Sequence, residues 1–136
     1  MKLDHIGIAV SNLDTANELF EEIMGVSAYK EEEVQGESVI TSFFMAGESK
    51  IELLVSTQDD GPISRFVKKK GEGIHHIAFE VEDIEERIEY FRKKGYRLLN
   101  EVPKKGADNK LIAFLHPKDT SGVLIEICQD AGKSGL

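Results

Sequence analysis

The sequence predicts an α+β fold built from two βαβββ modules. Three observations carry that expectation: an internal repeat, the periods of its apolar residues, and a composition suited to one core. Residues 3–20 (LDHIGIAVSNLDTANELF) align with residues 74–91 (IHHIAFEVEDIEERIEYF) at a constant offset of 71. In that register His5 meets His76, Ile6 meets Ile77, Val10 meets Val81, Glu18 meets Glu89 and Phe20 meets Phe91. Asn12 meets Asp83, both helix N-cap types, and Glu86 completes a capping-box pattern after Asp83. The matches respect a strand period and then a helix period, which points to duplication of a strand–turn–helix unit.

The elements follow in order. Alternating apolar residues predict a strand over 3–10, and Asn12 opens a helix over 13–24 with Leu13, Ala16, Leu19, Phe20 and Ile23 on one face. Three strands follow at 26–34, 38–46 and 49–56, separated by the turn residues Gln35-Gly36 and Gly47-Glu48. A short connecting helix over 61–70 turns Ile63, Phe66 and Val67 inward. The second half repeats the order: a strand at 74–81, a helix at 83–94, and strands near 96–102, 110–116 and 122–129. Residues 104–109 read as a loop, and the small, polar tail 131–136 reads as frayed. The expectation is one domain over 1–136, with module one at about 1–58, the linking helix at about 61–70 and module two at about 71–130.

Composition narrows the function. The chain has 136 residues, 40 % of them hydrophobic, enough for one core and too few for two ordinary ones. Its formal charge of −8 argues against a general nucleic-acid binder, and the 7 % aromatic content without Trp argues against a stacking platform. No apolar run approaches a membrane span, and the first residues lack a charged-then-apolar signal pattern. The single cysteine, Cys128, excludes an internal disulfide and a multi-thiolate zinc site, and reads as a small buried residue. The expected setting is the cytoplasm, with a small-molecule or protein partner and neither nucleic acid nor membrane.

Four polar side chains stand out. Ile6, Ile8 and Val10 share the helix-packing face of the first strand, which turns His5, Gly7 and Ala9 the other way. In 74–81, Ile77, Phe79 and Val81 pack, and His76 faces away beside Ala78 and Glu80. Glu52 opposes Ile51, Leu53 and Val55; Glu126 opposes Val123, Ile125 and Ile127, with Leu124 and Cys128 beside it. The glutamates are 74 residues apart, close to the 71 between the histidines, so each module supplies one His and one Glu at related positions. A Glu in an apolar strand is costly to bury without a partner, and two imidazoles with two carboxylates suit a first-row divalent ion. The bland reading is two edge-strand glutamates facing water and two satisfied histidines. His75 precedes His76, but the repeat aligns His76 with His5 and His75 with Asp4.

The paired modules with His5, Glu52, His76 and Glu126 resemble the vicinal-oxygen-chelate superfamily, and within it the methylmalonyl-CoA epimerases. The likeness rests on residues 3–10 (LDHIGIAV), 73–78 (GIHHIA), 62–66 (PISRF) and 115–119 (LHPKD) leading into 122–126 (GVLIE), and spans about residues 3 to 129. It implies a cupped eight-stranded mixed sheet around a metal held by His5, Glu52, His76 and Glu126. A Gln occupies the Glu52 position in some relatives. Co2+ is the favoured ion, with Mn2+, Zn2+ or Ni2+ as others such a donor set takes. The implied reaction interconverts (R)- and (S)-methylmalonyl-CoA by α-proton abstraction through a metal-stabilised enolate, in a homodimer with an acyl-CoA substrate.

Inversion needs a base on one side of the carbon and an acid on the other, unless one group swings between them. Glu126 is the first acid/base candidate, either ligated or detached. Glu37 is the second, carried over from a region where relatives hold a catalytic Glu; it also reads as a solvated turn carboxylate. Lys68-Lys69-Lys70 and Arg92-Lys93-Lys94 end helices and suit the dipole there, with coenzyme A phosphates as the other reading. Lys104, Lys105 and Lys118 could draw in an anionic substrate, and His116 reads equally as a substrate contact or a structural hydrogen bond. The alternatives are a glyoxalase-I-like lyase with nearly the same ligand set, an extradiol dioxygenase for which Glu52 is awkward, a non-catalytic small-molecule binder, and a dimerisation scaffold that leaves the four inward polar residues unexplained.

Overall fold

The computed structural model describes residues 1–134. Its eight strands belong to one mixed sheet, in agreement with the two βαβββ modules. By internal contacts the chain divides into two units: His5–His75, and Met1–Asp4 together with the residues from His76 onward.

The first unit contains β1 (Lys2–Ala9, from His5), α1 (Leu13–Met24), β2 (Lys30–Val34), β3 (Val39–Ala46), β4 (Ser49–Ser56), α2 (Pro62–Lys70) and the start of β5 (Gly73–Glu80). Its strands lie in the order β2-β3-β4-β1, antiparallel except for the parallel β1–β4 pair. A parallel neighbour needs a crossover, and α1, β2 and β3 supply it between β1 and β4. Asn12 starts α1 by accepting from Thr15 N at 3.0 Å. Gly25 ends it at φ 73°, a left-handed conformation that glycine adopts freely. The core gathers Val10, Ala16, Phe44 and Leu53, with Ile8, Leu13, Phe20, Met24, Ile51 and Val55 against it.

Leu19 and Ile23 are not in that core; they are 51 % and 67 % exposed. A helix laid on a sheet buries a narrow stripe, here Leu13, Ala16, Phe20 and Met24, and the rotation per residue carries Leu19 and Ile23 to its flank. β2 is also shorter than the 26–34 expected, because its ladder begins where Lys30 comes opposite Phe43. Residues 26–29 carry the chain from α1 to the sheet.

The second unit holds most of β5, then α3 (Ile84–Lys93), β6 (Lys104–Lys105), β7 (Lys110–Leu115), β8 (Ile125–Asp130) and α4 (Ala131–Ser134). The strand order is β5-β8-β7-β6, with β5 and β8 parallel and the rest antiparallel. Asp83 caps α3 by accepting from Glu86 N at 3.1 Å, and Ile84 N donates to Gln129 Oε1 at 2.7 Å, docking the helix on β8. Val81, Ile84, Ile88, Ala113 and Ile127 form the core, with Phe91, Leu98 and Leu111 packed on it.

Three expectations need correction here. The strand near 96–102 is reduced to a single bridge, Leu98 to Leu115, and β6 lies instead at Lys104–Lys105, inside the segment read as a loop. Asn100 explains the change: its Nδ2 donates to Val102 O (3.0 Å) and Ile112 O (3.1 Å), and its Oδ1 accepts from Phe114 N (3.0 Å). One side-chain amide thus replaces part of the ladder, and Pro103 has no N–H to continue a strand. β8 begins at Ile125 rather than 122, because Ser121 and Gly122 adopt left-handed conformations at φ 59° and 83°. Residues 131–134 of the tail form a helical turn, started by Ala131 N donating to Asn109 O at 3.0 Å. Gly135 and Leu136, also read as frayed, lie outside the described residues.

Ahead of β8, Pro117–Asp119 form a 3-10 turn. Asp119 accepts from Arg97 N (2.7 Å) and Nε (3.1 Å) through Oδ2, and from Arg97 Nη2 (2.8 Å) through Oδ1. These bonds lower the Asp119 pKa to about 2. A depressed carboxylate pKa stabilises the fold above the unfolded value near 4, and that contribution is lost as pH falls toward 2. Thermal unfolding between pH 5 and 2 should therefore show a smaller acid-induced fall for Asp119→Asn than for the wild type. Truncating Asn100 to Ala should cost about 1–2 kcal/mol in urea unfolding, since its backbone partners lose their bonds.

Candidate metal centre

β4 alternates across the sheet. Ile51, Leu53 and Val55 join the α1 core, and Glu52 therefore points to the opposite face. Ile8 on β1 and Val10 just after it take the core side, and His5 takes the other. The result is a buried pair: His5 Nδ1 lies 3.1 Å from Glu52 Oε2, with His5 5 % and Glu52 4 % exposed. The second unit repeats the arrangement. His76 Nε2 on β5 lies 3.4 Å from Glu126 Oε1 on β8, and the two are 5 % and 4 % exposed.

The surroundings repeat too. Glu52 stands between Gly7 on β1 and Phe43 on β3. Glu126 stands between Ala78 on β5 and Phe114 on β7. Each carboxylate thus has a small residue on one side, which leaves room, and an aromatic ring on the other, which excludes water. The Phe114 ring meets His76 edge-on, with centroids 6.0 Å apart. Within each unit the His and Glu ligand atoms lie close enough to share one ion. Imidazole nitrogen with carboxylate oxygen, buried and mutually oriented, fits a divalent first-row metal.

Other residues singled out from the sequence fall elsewhere. His75 stacks edge-on against Phe66 at 5.0 Å, on the opposite side of β5 from His76. Burial, and then the charge of Lys70, lowers its pKa to about 4. Glu37 is half-buried in the 3-10 turn Gln35–Glu37, off the strand ladder that carries Glu52. His116 makes a structural bond, its Nδ1 accepting from Lys118 N at 3.1 Å. Lys104 sits over the Phe114 ring at 5.8 Å. Cys128 is fully buried, two residues beyond Glu126 on the same face of β8.

Sequence reasoning passed over two residues of the first unit. Thr41 shares the Phe43 face of β3, is fully buried, and its Oγ1 has no hydrogen-bond partner. Lys50 is only 8 % exposed and shares the Glu52 face of β4, directly opposite His5. The alternation that singled out Glu52 also applies to Lys50; it was hidden because a lysine at a strand start reads as solvated.

The fold and the repeated His–Glu pairs point to a superfamily: residues 4–114 match the Glyoxalase/Bleomycin resistance protein/Dioxygenase superfamily, and the chain belongs to it. Within that superfamily its similarity runs to the methylmalonyl-CoA epimerases. It is 39 % identical over 132 residues to the ethylmalonyl-CoA/methylmalonyl-CoA epimerase of Cereibacter sphaeroides, covering 94 % of this chain and 97 % of the relative. It is 38 % identical to the mitochondrial methylmalonyl-CoA epimerase of Homo sapiens, over 94 % of this chain and 73 % of that one. A substituted Streptomyces coelicolor methylmalonyl-CoA epimerase in complex with 2-nitronate-propionyl-CoA superimposes with a TM-score of 0.93 and 34 % identity, over 96 % of this chain and 95 % of the other. No helix among the described residues is long and apolar enough to cross a membrane.

Chelator-treated protein should melt roughly 5 °C or more below protein given Co2+ at about 100 times its Kd, because an ion that binds the folded state alone stabilises it. Calorimetry should show that difference shrink in Glu52→Gln and in Glu126→Gln.

Proposed function

We propose that the protein is a metal-dependent epimerase interconverting (R)- and (S)-methylmalonyl-CoA by removal and return of the α-proton. One observation carries the reading: a buried His–Glu pair, flanked by a small residue and a phenylalanine, occurs at matching positions in both halves. The similarity to methylmalonyl-CoA epimerases supplies the substrate class. In this proposal His5, Glu52, His76 and Glu126 together hold one divalent ion, Co2+ by preference, and the two modules act as one domain. The ion, when bound, offers Lewis acidity that lowers the cost of the enolate.

The protein's own groups do the rest. The paired imidazoles and carboxylates fix the ligand geometry, and Phe43 and Phe114 beside the glutamates keep water out. Glu126 takes the α-proton on one face while Glu37 delivers one to the other, and the two exchange roles in the reverse direction, since a carboxylate is not consumed in either transfer. Glu37 is the second acid/base. The β3 residues that share the Glu52 face, Val39, Thr41, Phe43 and Met45, include no carboxylate, so a group from this region must come from the turn before them. The working state is a cytoplasmic homodimer.

Methylmalonyl-CoA incubated with metal-loaded protein in D2O should gain deuterium at the α-carbon, read by proton NMR. Glu126→Gln should slow that exchange at least about 100-fold while far-UV circular dichroism stays unchanged. No exchange with methylmalonyl-CoA, together with turnover of the methylglyoxal–glutathione hemithioacetal, would replace this reading with the lyase.

A further inference from the structure

The two halves match closely in the four residues around each glutamate, except at one position. Lys50-Ile51-Glu52-Leu53 in β4 corresponds to Leu124-Ile125-Glu126-Ile127 at β8. Lys50 therefore stands where the second half has leucine. It is not a surface lysine: it is 8 % exposed, it sits two residues from Glu52 on the same face of the strand, and it pairs in register with His5. Directly opposite pairs on neighbouring strands are about 5 Å apart with their side chains on one side. The positive group accordingly belongs to the His5–Glu52 face.

We propose that Lys50 is a specificity-determining residue whose ammonium receives the free carboxylate of the substrate. This rests on the epimerase reading and deepens it. The ligand pairs are alike, so they alone give a molecule with one anionic and one neutral oxygen-bearing end no reason to favour either half. An ammonium beside His5 and a leucine at the matching site supply that reason: the anionic end is attracted to the first half, and the uncharged thioester is not. Low solvent exposure strengthens the attraction, because water screens a half-buried charge less than an exposed one.

The test compares two thioesters that differ in the carboxylate alone, methylmalonyl-CoA and propionyl-CoA. Isothermal calorimetry measures their Kd values on metal-loaded wild-type, Lys50→Met and Lys50→Arg proteins. Lys50→Met should weaken methylmalonyl-CoA about 10- to 100-fold, the loss expected for one charge-assisted hydrogen bond, and leave propionyl-CoA within about twofold. Lys50→Arg should keep most of the wild-type preference. Bound metal, measured by elemental analysis, should stay at the wild-type ratio in both variants. Lys50→Gln, with a polar side chain of similar reach, is the second variant if Lys50→Met does not fold, and should lose the same preference.

Equal weakening of both thioesters, or of neither, overturns the proposal, as does loss of metal from the substituted protein. If wild-type protein exchanges deuterium but the substituted proteins retain their preference, Lys50 is excluded and the epimerase reading stands. If wild-type protein exchanges nothing, that reading fails and this inference falls with it.

Discussion

A carboxylate buried in an apolar strand constrains everything around it. Glu52 and Glu126 are each about 4 % exposed within strands whose other face packs against a helix. Desolvating such a group costs several kcal/mol unless something in the fold answers its charge. In both halves the answer is an imidazole across a parallel strand pair, at 3.1 Å and 3.4 Å. The parallel pairing itself requires a crossover, and the helix and two strands between β1 and β4 supply it, as α3, β6 and β7 do between β5 and β8. The βαβββ order and the His–Glu pair are in this sense one solution to one problem.

Duplication explains the likeness of the halves, and selective departures from it explain their difference. The small residue and the phenylalanine beside each glutamate occur in both halves, where they flank the buried carboxylate. Lys50 and Leu124 differ at a position that lies outside the helix-facing core of either half.

Much of this was legible in the chain itself. Strand periodicity told which side of each strand carries His5, Glu52, His76 and Glu126, because the alternation is strict over six to eight residues. The repeat by itself separates His76, aligned with His5, from His75, aligned with Asp4. The less legible parts are those where a single side chain replaces a backbone interaction. Asn100 takes over ladder bonds near 98–102, so a strand there dissolves although its residues have strand character. Leu19 and Ile23 are apolar at helical spacing and still remain exposed, since the width of the buried stripe is set by the sheet beneath the helix.

The sequence by itself determined the module order, the helix caps at Asn12 and Asp83, and the face on which each candidate ligand falls. These follow from local rules: side-chain alternation, helical period and capping chemistry act over a few residues. The tertiary structure decided which residues become neighbours across strands, and so placed Lys50 opposite His5, Phe43 beside Glu52 and Phe114 beside Glu126. Register between strands distant in sequence is fixed by packing of the whole sheet, and no window of the chain contains that information.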